Sequence, residues 1–226
     1  MTAETDNTAP ENLSEGSLEE RVADITKSLA EQIVSTCRAE AEAAVQAATS
    51  QARKETLETV SNSFAEVASR IRQEDSVTGI ATALVEGAGR FGGRAALFIH
   101  RGNQLLGFRV AGEPDAEKQS AFQRLSIDVQ SASSAAHAIE SLDSVVSQGT
   151  AGELSQPVVE LFELSEEDRV HLMPVALRDR VLALVYCDNR GPEGESAVLE
   201  PAIKTLISLA EAWIEAVGTR RKQAAA

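Results

Sequence analysis

Apolar positions change period along this chain, and the changes divide it. From Ser17 to about Gln73 there is no glycine or proline in a stretch dominated by Ala, Glu, Arg, Gln and Leu, which predicts one long helix. Ser17 followed by Glu20 is a capping-box signature at its start. At the helical rise it would extend roughly 80 Å, longer than a small domain is wide. Leu18, Val22, Ile25 and Leu29, and again Leu57, Val60, Phe64, Val67 and Ile71, recur at heptad spacing. Between these runs Ile33, Cys37, Ala41, Ala44 and Ala48 drift toward a longer period, with small residues that permit close helix approach. A stripe this narrow cannot bury itself on a lone helix, so a partner helix is expected, and a second copy of the chain supplies one as a parallel homodimer. The alternative is a hairpin folding back on the globular part, which lacks a Gly or Pro turn.

Beyond residue 76, helix and strand periods alternate. Val77, Ile80, Ala81, Leu84 and Val85 predict a helix ending in the Gly-rich stretch 86–94, whose glycines read as a C-cap and a loop. "AALFIH" and "LLGFRVAG" flank a turn-forming break at Arg101-Gly102-Asn103-Gln104 and predict a hairpin. "LSIDV", residues 125–129, is a third strand. A helix is expected to follow, with N-cap choices at Ser131 to Ser134 and an apolar face of Ala135, Ile139, Leu142, Val145 and Val146. Residues 149–157 read as a flexible connection, and 158–164, "VVELFEL", fit either element. "SEEDR", residues 165–169, is a capped turn. "LMPVALRDRVLALVYCDN", residues 172–189, then has two apolar runs around a charged break, apolar on both faces, as a covered central strand pair would be. A final amphipathic helix carries Leu199, Ile203, Leu206, Ile207, Ala210, Trp213, Ile214 and Val217. The expected division is a disordered tail over 1–16, a coiled-coil helix over 17–75, an α+β domain over 76–219 and a flexible tail over 220–226.

Charge narrows the partners. Against 35 acidic residues stand 21 basic ones, a net charge of −14 in 226 residues, so the molecule repels phosphate backbones and no nucleic-acid partner is expected. Cys37 and Cys187 fall in segments of different type and form neither a metal-ligand pair nor a disulfide framework. Free thiols, an N-terminal stretch without a basic and apolar leader pattern, and the lack of any apolar run near 18 residues lead to the expectation of a cytoplasmic protein with no membrane span.

Candidate chemistry is sparse. "GAGRFGG" lacks the Gly-Lys-Ser/Thr ending of a phosphate loop, and its glycines run from helix to strand, the reverse of the nucleotide fingerprints. His100, His137 and His171 are too far apart in sequence for a helical metal pair. Ser131, Ser133 and Ser134 lie in no nucleophile elbow and read as caps. Cys187, beside Asp188, is a nucleophile only if its thiol is activated and reachable; packing is the other reading. No catalytic or metal-binding residue is assigned, and no cofactor is named.

The order helix, hairpin, strand, helix, hairpin, helix, with Pro174, Val175 and Leu177 on one strand and Val181, Leu182, Leu184, Val185, Tyr186 and Asp188 on the next, resembles the GAF family of small-molecule sensor domains over about residues 77–218. Ala183 stands where that family usually has glycine, and "SSAAHAIESLDSVV" is similar to its helix before the middle strand. The resemblance implies a GAF-like antiparallel sheet of about five or six strands packed on one side by the first and last helices. In that family those helices commonly pair across a dimer axis and continue into signalling coiled coils. It also implies a non-enzymatic regulatory role, binding a small molecule or a protein. The alternatives are a structural coiled-coil adaptor and a small redox enzyme. The family's cyclic-nucleotide motif, bilin cysteine and reductase cysteine set have no counterpart here. Phe98, Phe108 and Tyr186 would line a ligand pocket if they face away from the terminal helices; a filled core is the open alternative.

Overall fold

In the computed structural model, residues 53–191 and 197–224 are described, together with Ser35, Gln46, Thr49–Gln51, Gly194 and Glu195. The expected tail over 1–16, the capping box at Ser17 and the apolar seam from Leu18 to Ala48 lie outside the described residues. The chain divides into two compact units, residues 1–59 and 60–226. In the first, residues 53–59 are helical and Leu57 is exposed. Everything below concerns the second.

Helix α1 (60–73) is followed after three residues by α2 (Val77–Gly92). Val67 and Ile71 of α1 are buried among Leu84, Ala88 and Ile203, with Val60 and Phe64 packed at the margin. These heptad positions, read from sequence as part of a seam for a second chain, therefore lie in the domain's own core. The reversal needs neither Gly nor Pro, because other groups hold it. Ser76 caps α2 by accepting from Gly79 N–H at 3.0 Å, and the Trp213 indole N–H donates to Glu74 O at 2.8 Å.

The glycines expected to end α2 lie inside it, and the helix stops only at Gly93, with φ 76°. Contact explains them. A Cβ on Gly87 would sit 2.3 Å from Val67 Cγ1, and one on Gly92 would sit 3.1 Å from Cys187 Cβ. Each removes a side chain where α2 meets a neighbour, so close packing on α1 and on the sheet offsets the helix-propensity loss of about 1 kcal/mol per glycine.

Strands β1 (Arg94–Arg101), β2 (Gln104–Ala111), β3 (Ser126–Asp128), β4 (Val145–Gln148), β5 (Arg169–Leu177) and β6 (Arg180–Asp188) form one antiparallel sheet in the order β3-β2-β1-β6-β5-β4. The β5–β6 turn is two residues, Arg178 and Asp179, both left-handed at φ 51° and 63°, the geometry that matches strand twist in tight hairpins. Helix α3 (Ala116–Gln123) follows β2, and α4 (Ser133–Ser141) follows β3.

The sequence continued α4 to Val146; instead Leu142 turns left-handed at φ 58° and Val145 begins the edge strand β4. Residues 149–157 are not an irregular connection. They contain α5 (Ala151–Leu154) and the start of α6 (Gln156–Phe162), which settles "VVELF" as helix. Helix α7 (Glu200–Ala224) runs through Arg220, Arg221 and Lys222, assigned above to a tail.

Strand β4 pairs with β5 only from Arg169 to Leu172. Further along, Pro174 offers no N–H, and the N–H of Ala176 donates 2.6 Å to Glu211 Oε1 of α7. Two cores result, one on each face of the sheet: α1, α2 and α7 cover Leu97, Met173, Val175, Val185 and Cys187, while α3 to α6 cover Phe98, Leu172, Leu184 and Tyr186.

Candidate functional site

Period-2 alternation decides which strand residues reach which face. On the face covered by α3 to α6, Phe98 and Tyr186 point into an aromatic row. Phe98 meets Phe122 at 4.9 Å between ring centroids, Phe122 meets Phe162 at 5.8 Å, and Phe162 meets Tyr186 at 5.0 Å. Leu105, Ile127, Ala135, Leu154 and Val158 close around them. The remaining cavity is about 10 Å³, at the lower limit for a single water.

Phe108, the third expected lining residue, is absent from this row. Leu97 pairs with Arg109 and Phe98 with Gly107, so Phe108 is the extra residue of a bulge. Its side chain packs against the core of α1, α2 and α7 on the other face. The structure thus brings Phe98 and Tyr186 together and leaves Phe108 out; a bulge has no period-2 signature to read.

Below Tyr186 lies a buried ionic cluster. The Arg94 guanidinium donates to Asp188 Oδ2 at 2.5 and 3.0 Å and to Glu113 Oε2 at 3.1 Å. It also donates to Phe162 O at 3.3 Å and stacks 4.4 Å from the Phe162 ring centroid. Tyr186 Oη donates to the same Asp188 oxygen at 2.5 Å. Burial opposes the charge on Arg94, and Asp188, Tyr186 and Glu113 together more than offset it, so the guanidinium stays protonated. The Tyr186 hydroxyl is pushed well up by burial and by Asp188. Every principal polar group of this cluster is engaged, which marks it as a rivet joining β1, β6 and α6.

Cys187 faces the opposite side, against Gly92 and across from His171. Burial, then Asp188, drives its thiol well above the usual range, which is the inert extreme of cysteine chemistry. His100 meets Val181 O at 3.1 Å. Among the described residues no three His, Cys, Asp or Glu side chains group as metal ligands.

A groove of about 570 Å³ opens where β5 begins and β6 ends, lined by Ser165, Glu167, Asp168, Arg169, His171, Asn189, Arg190 and Val198. Arg169 and His171 alternate with Val170 and Leu172, whose side chains enter the aromatic core, so the groove belongs to the α7 face of the sheet. The capped turn read from "SEEDR" builds one wall. Asp168 Oδ2 accepts from Ser165 N–H at 2.6 Å and its hydroxyl at 2.8 Å, and pairs with Arg190 at 2.7 Å. Burial alone would raise the Asp168 carboxyl, but these donors hold it below its usual value.

His171 Nδ1 lies 3.2 Å from Glu200 Oε2 at the start of α7 without hydrogen-bond geometry, and it counts, with Asn189 Oδ1 and Ser155 Oγ, among the buried polar atoms left unpartnered. Sequence reasoning set His171 aside as a metal ligand and did not find the groove. Its residues come from three segments with no shared motif.

No family model matches the chain, and neither does any curated protein sequence. Solved structures do. A methyl-accepting chemotaxis protein, residues 122 to 287, aligns at 15% identity over 70% of this chain and 99% of its own, with TM-score 0.56. The GAF domain of a phosphoenolpyruvate-protein phosphotransferase from Coxiella burnetii aligns at 10% identity over 74% and 97%, TM-score 0.51. A GAF domain/HD domain protein from Geobacter sulfurreducens aligns at 15% identity over 62% and 93%, TM-score 0.50. With a six-stranded antiparallel sheet, first and last helices on one face and short helices on the other, the domain has a GAF-like α+β fold.

Proposed function

We propose that this chain is a non-enzymatic signalling or regulatory protein: a GAF-like domain that binds a small molecule or another protein and acts as a cytoplasmic homodimer through its N-terminal helical region. The observation that carries the reading is the state of the two places where chemistry would sit. The aromatic face is filled, and the thiol of Cys187 is buried and deactivated, so neither offers a nucleophile beside a substrate-sized space. What remains is a rigid sheet whose α7 face carries the helices that an assembly would use. A ligand or partner engaging that face would bias the packing of α2 against α7, and paired helices transmit such a bias as a rigid-body movement. The same filled face favours the second reading, an adaptor that binds another protein through its globular part. Sedimentation of the full chain tests the assembly: a mass of two chains is expected, and a monomer across micromolar concentrations overturns the homodimer.

A further inference from the structure

We infer that the groove between the 165–168 turn, β5 and the end of β6 is a binding site for a zwitterionic small molecule of the free α-amino acid class. The volume, about 570 Å³, falls in the range of small-molecule sites, in contrast to the closed aromatic face. Its charges select the ligand. Asp168 and Arg190 satisfy each other at 2.7 Å, and His171 sits beside Glu200. Glu167 and Arg169, by contrast, make no side-chain hydrogen bond or ion pair with a described residue, Arg169 acting only at longer range on the Glu153 carboxylate, and both line the groove. One anion and one cation over a common space, neither of them ion-paired with a described residue, suit a ligand carrying an ammonium and a carboxylate. A phosphate dianion would meet Glu167 and Asp168, and a simple cation would meet Arg169 and Arg190.

The unpartnered polar atoms point the same way. A buried polar atom without a hydrogen-bond partner is costly and rare in a folded protein, yet of the three such atoms among the described residues, two belong to groove residues: the acceptor Asn189 Oδ1, and His171 Nδ1, which faces Glu200 Oε2 at 3.2 Å. An ammonium group brings three donors and satisfies Asn189 Oδ1 while pairing with Glu167; the carboxylate then lies on Arg169. This site extends the regulatory reading by giving it a ligand next to α7, because Val198 and the His171–Glu200 contact join the groove to that helix.

Calorimetric titration of the full chain with each of the common L-α-amino acids, and with propionate and propylamine as single-charge probes, tests it. At least one amino acid is expected to bind, with both single-charge probes weaker by about tenfold or more. Glu167→Gln and Arg169→Gln alter exposed side chains and should melt like the wild type while each weakens that amino acid by about tenfold. Binding of none of the amino acids, equal binding of propionate, or undiminished binding by both variants overturns the proposal. Sedimentation is read separately, so a monomer that still binds would sink the homodimer and leave the groove standing.

Discussion

Replacing Gly87 with alanine sets two effects against each other on a single methyl group. In a helix interior the change is favourable by about 1 kcal/mol, since alanine gives up less backbone freedom. Here the new carbon would lie 2.3 Å from Val67 Cγ1 and 3.3 Å from that residue's Cβ and Cγ2. Val67 is only 4% exposed and packs in the core, and a β-branched side chain in a helix has one strongly preferred rotamer. It cannot swing aside, so overpacking should cost about 1–3 kcal/mol. The net expectation is a destabilisation of up to about 2 kcal/mol, read as a lower midpoint in urea unfolding of the full chain at unchanged slope. Two further variants make the measurement discriminating. Gly218→Ala lies in α7, where an added Cβ meets nothing within 4 Å, and should gain about 1 kcal/mol. In a Val67→Ala background the 2.3 Å obstacle is gone and only the Cβ at 3.3 Å remains, so Gly87→Ala should turn favourable, a coupling that a double-mutant cycle reports directly. Equal gains from Gly87→Ala and Gly218→Ala in the wild-type background would refute the packing of α1 on α2.

Four other outcomes follow from the same geometry. Asp188→Asn leaves the Arg94 charge without its main counterion and should cost about 3–5 kcal/mol in equilibrium unfolding, while Tyr186→Phe, which loses one hydrogen bond to that carboxylate, should cost about 1.5–3 kcal/mol. Cys187 should resist a thiol reagent in the native state and be modified only on denaturation, as peptide mapping by mass spectrometry would record; rapid native labelling would contradict its burial. Stability should fall as pH drops through the carboxylate range. The folded pKa values of Asp168, Glu153 and Glu200 are depressed, so their contribution is complete above the unfolded values and lost as they protonate; thermal melts across acidic pH would show it. Glu211 runs the other way. Burial raises its carboxyl despite the Ala176 N–H, so it disfavours the folded state above its unfolded pKa, and Glu211→Gln should melt no lower than the wild type at neutral pH, with its advantage shrinking in acid.

The β5–β6 hairpin was legible because its two apolar runs are strand-sized and its charged break is short. α2 was recognised but cut short at its glycines, since a glycine that stops a helix and one that lets another helix approach look alike until the neighbour is known. Val145 and Val146 extended the apolar period of α4, and nothing local in Leu142 announces a left-handed residue. Phe98 and Tyr186 were grouped by alternation, which holds along a regular strand, and Phe108 was misplaced by a bulge that alternation cannot register. Arg94 and Asp188 are adjacent across β1 and β6 but far apart in sequence, and the polar groove is likewise a product of register. Its one local trace was the Ser165–Asp168 turn.

The upper half of β5 has a consequence for how such domains can join. A strand margin with free amide hydrogens is sticky toward any extended chain, and here proline withholds one hydrogen while a glutamate from α7 occupies another. The far margin, β3, spans only three residues. Ribbon-to-ribbon pairing is thereby discouraged along the upper half of β5 and at β3, which makes helical surfaces the natural meeting place for two molecules there.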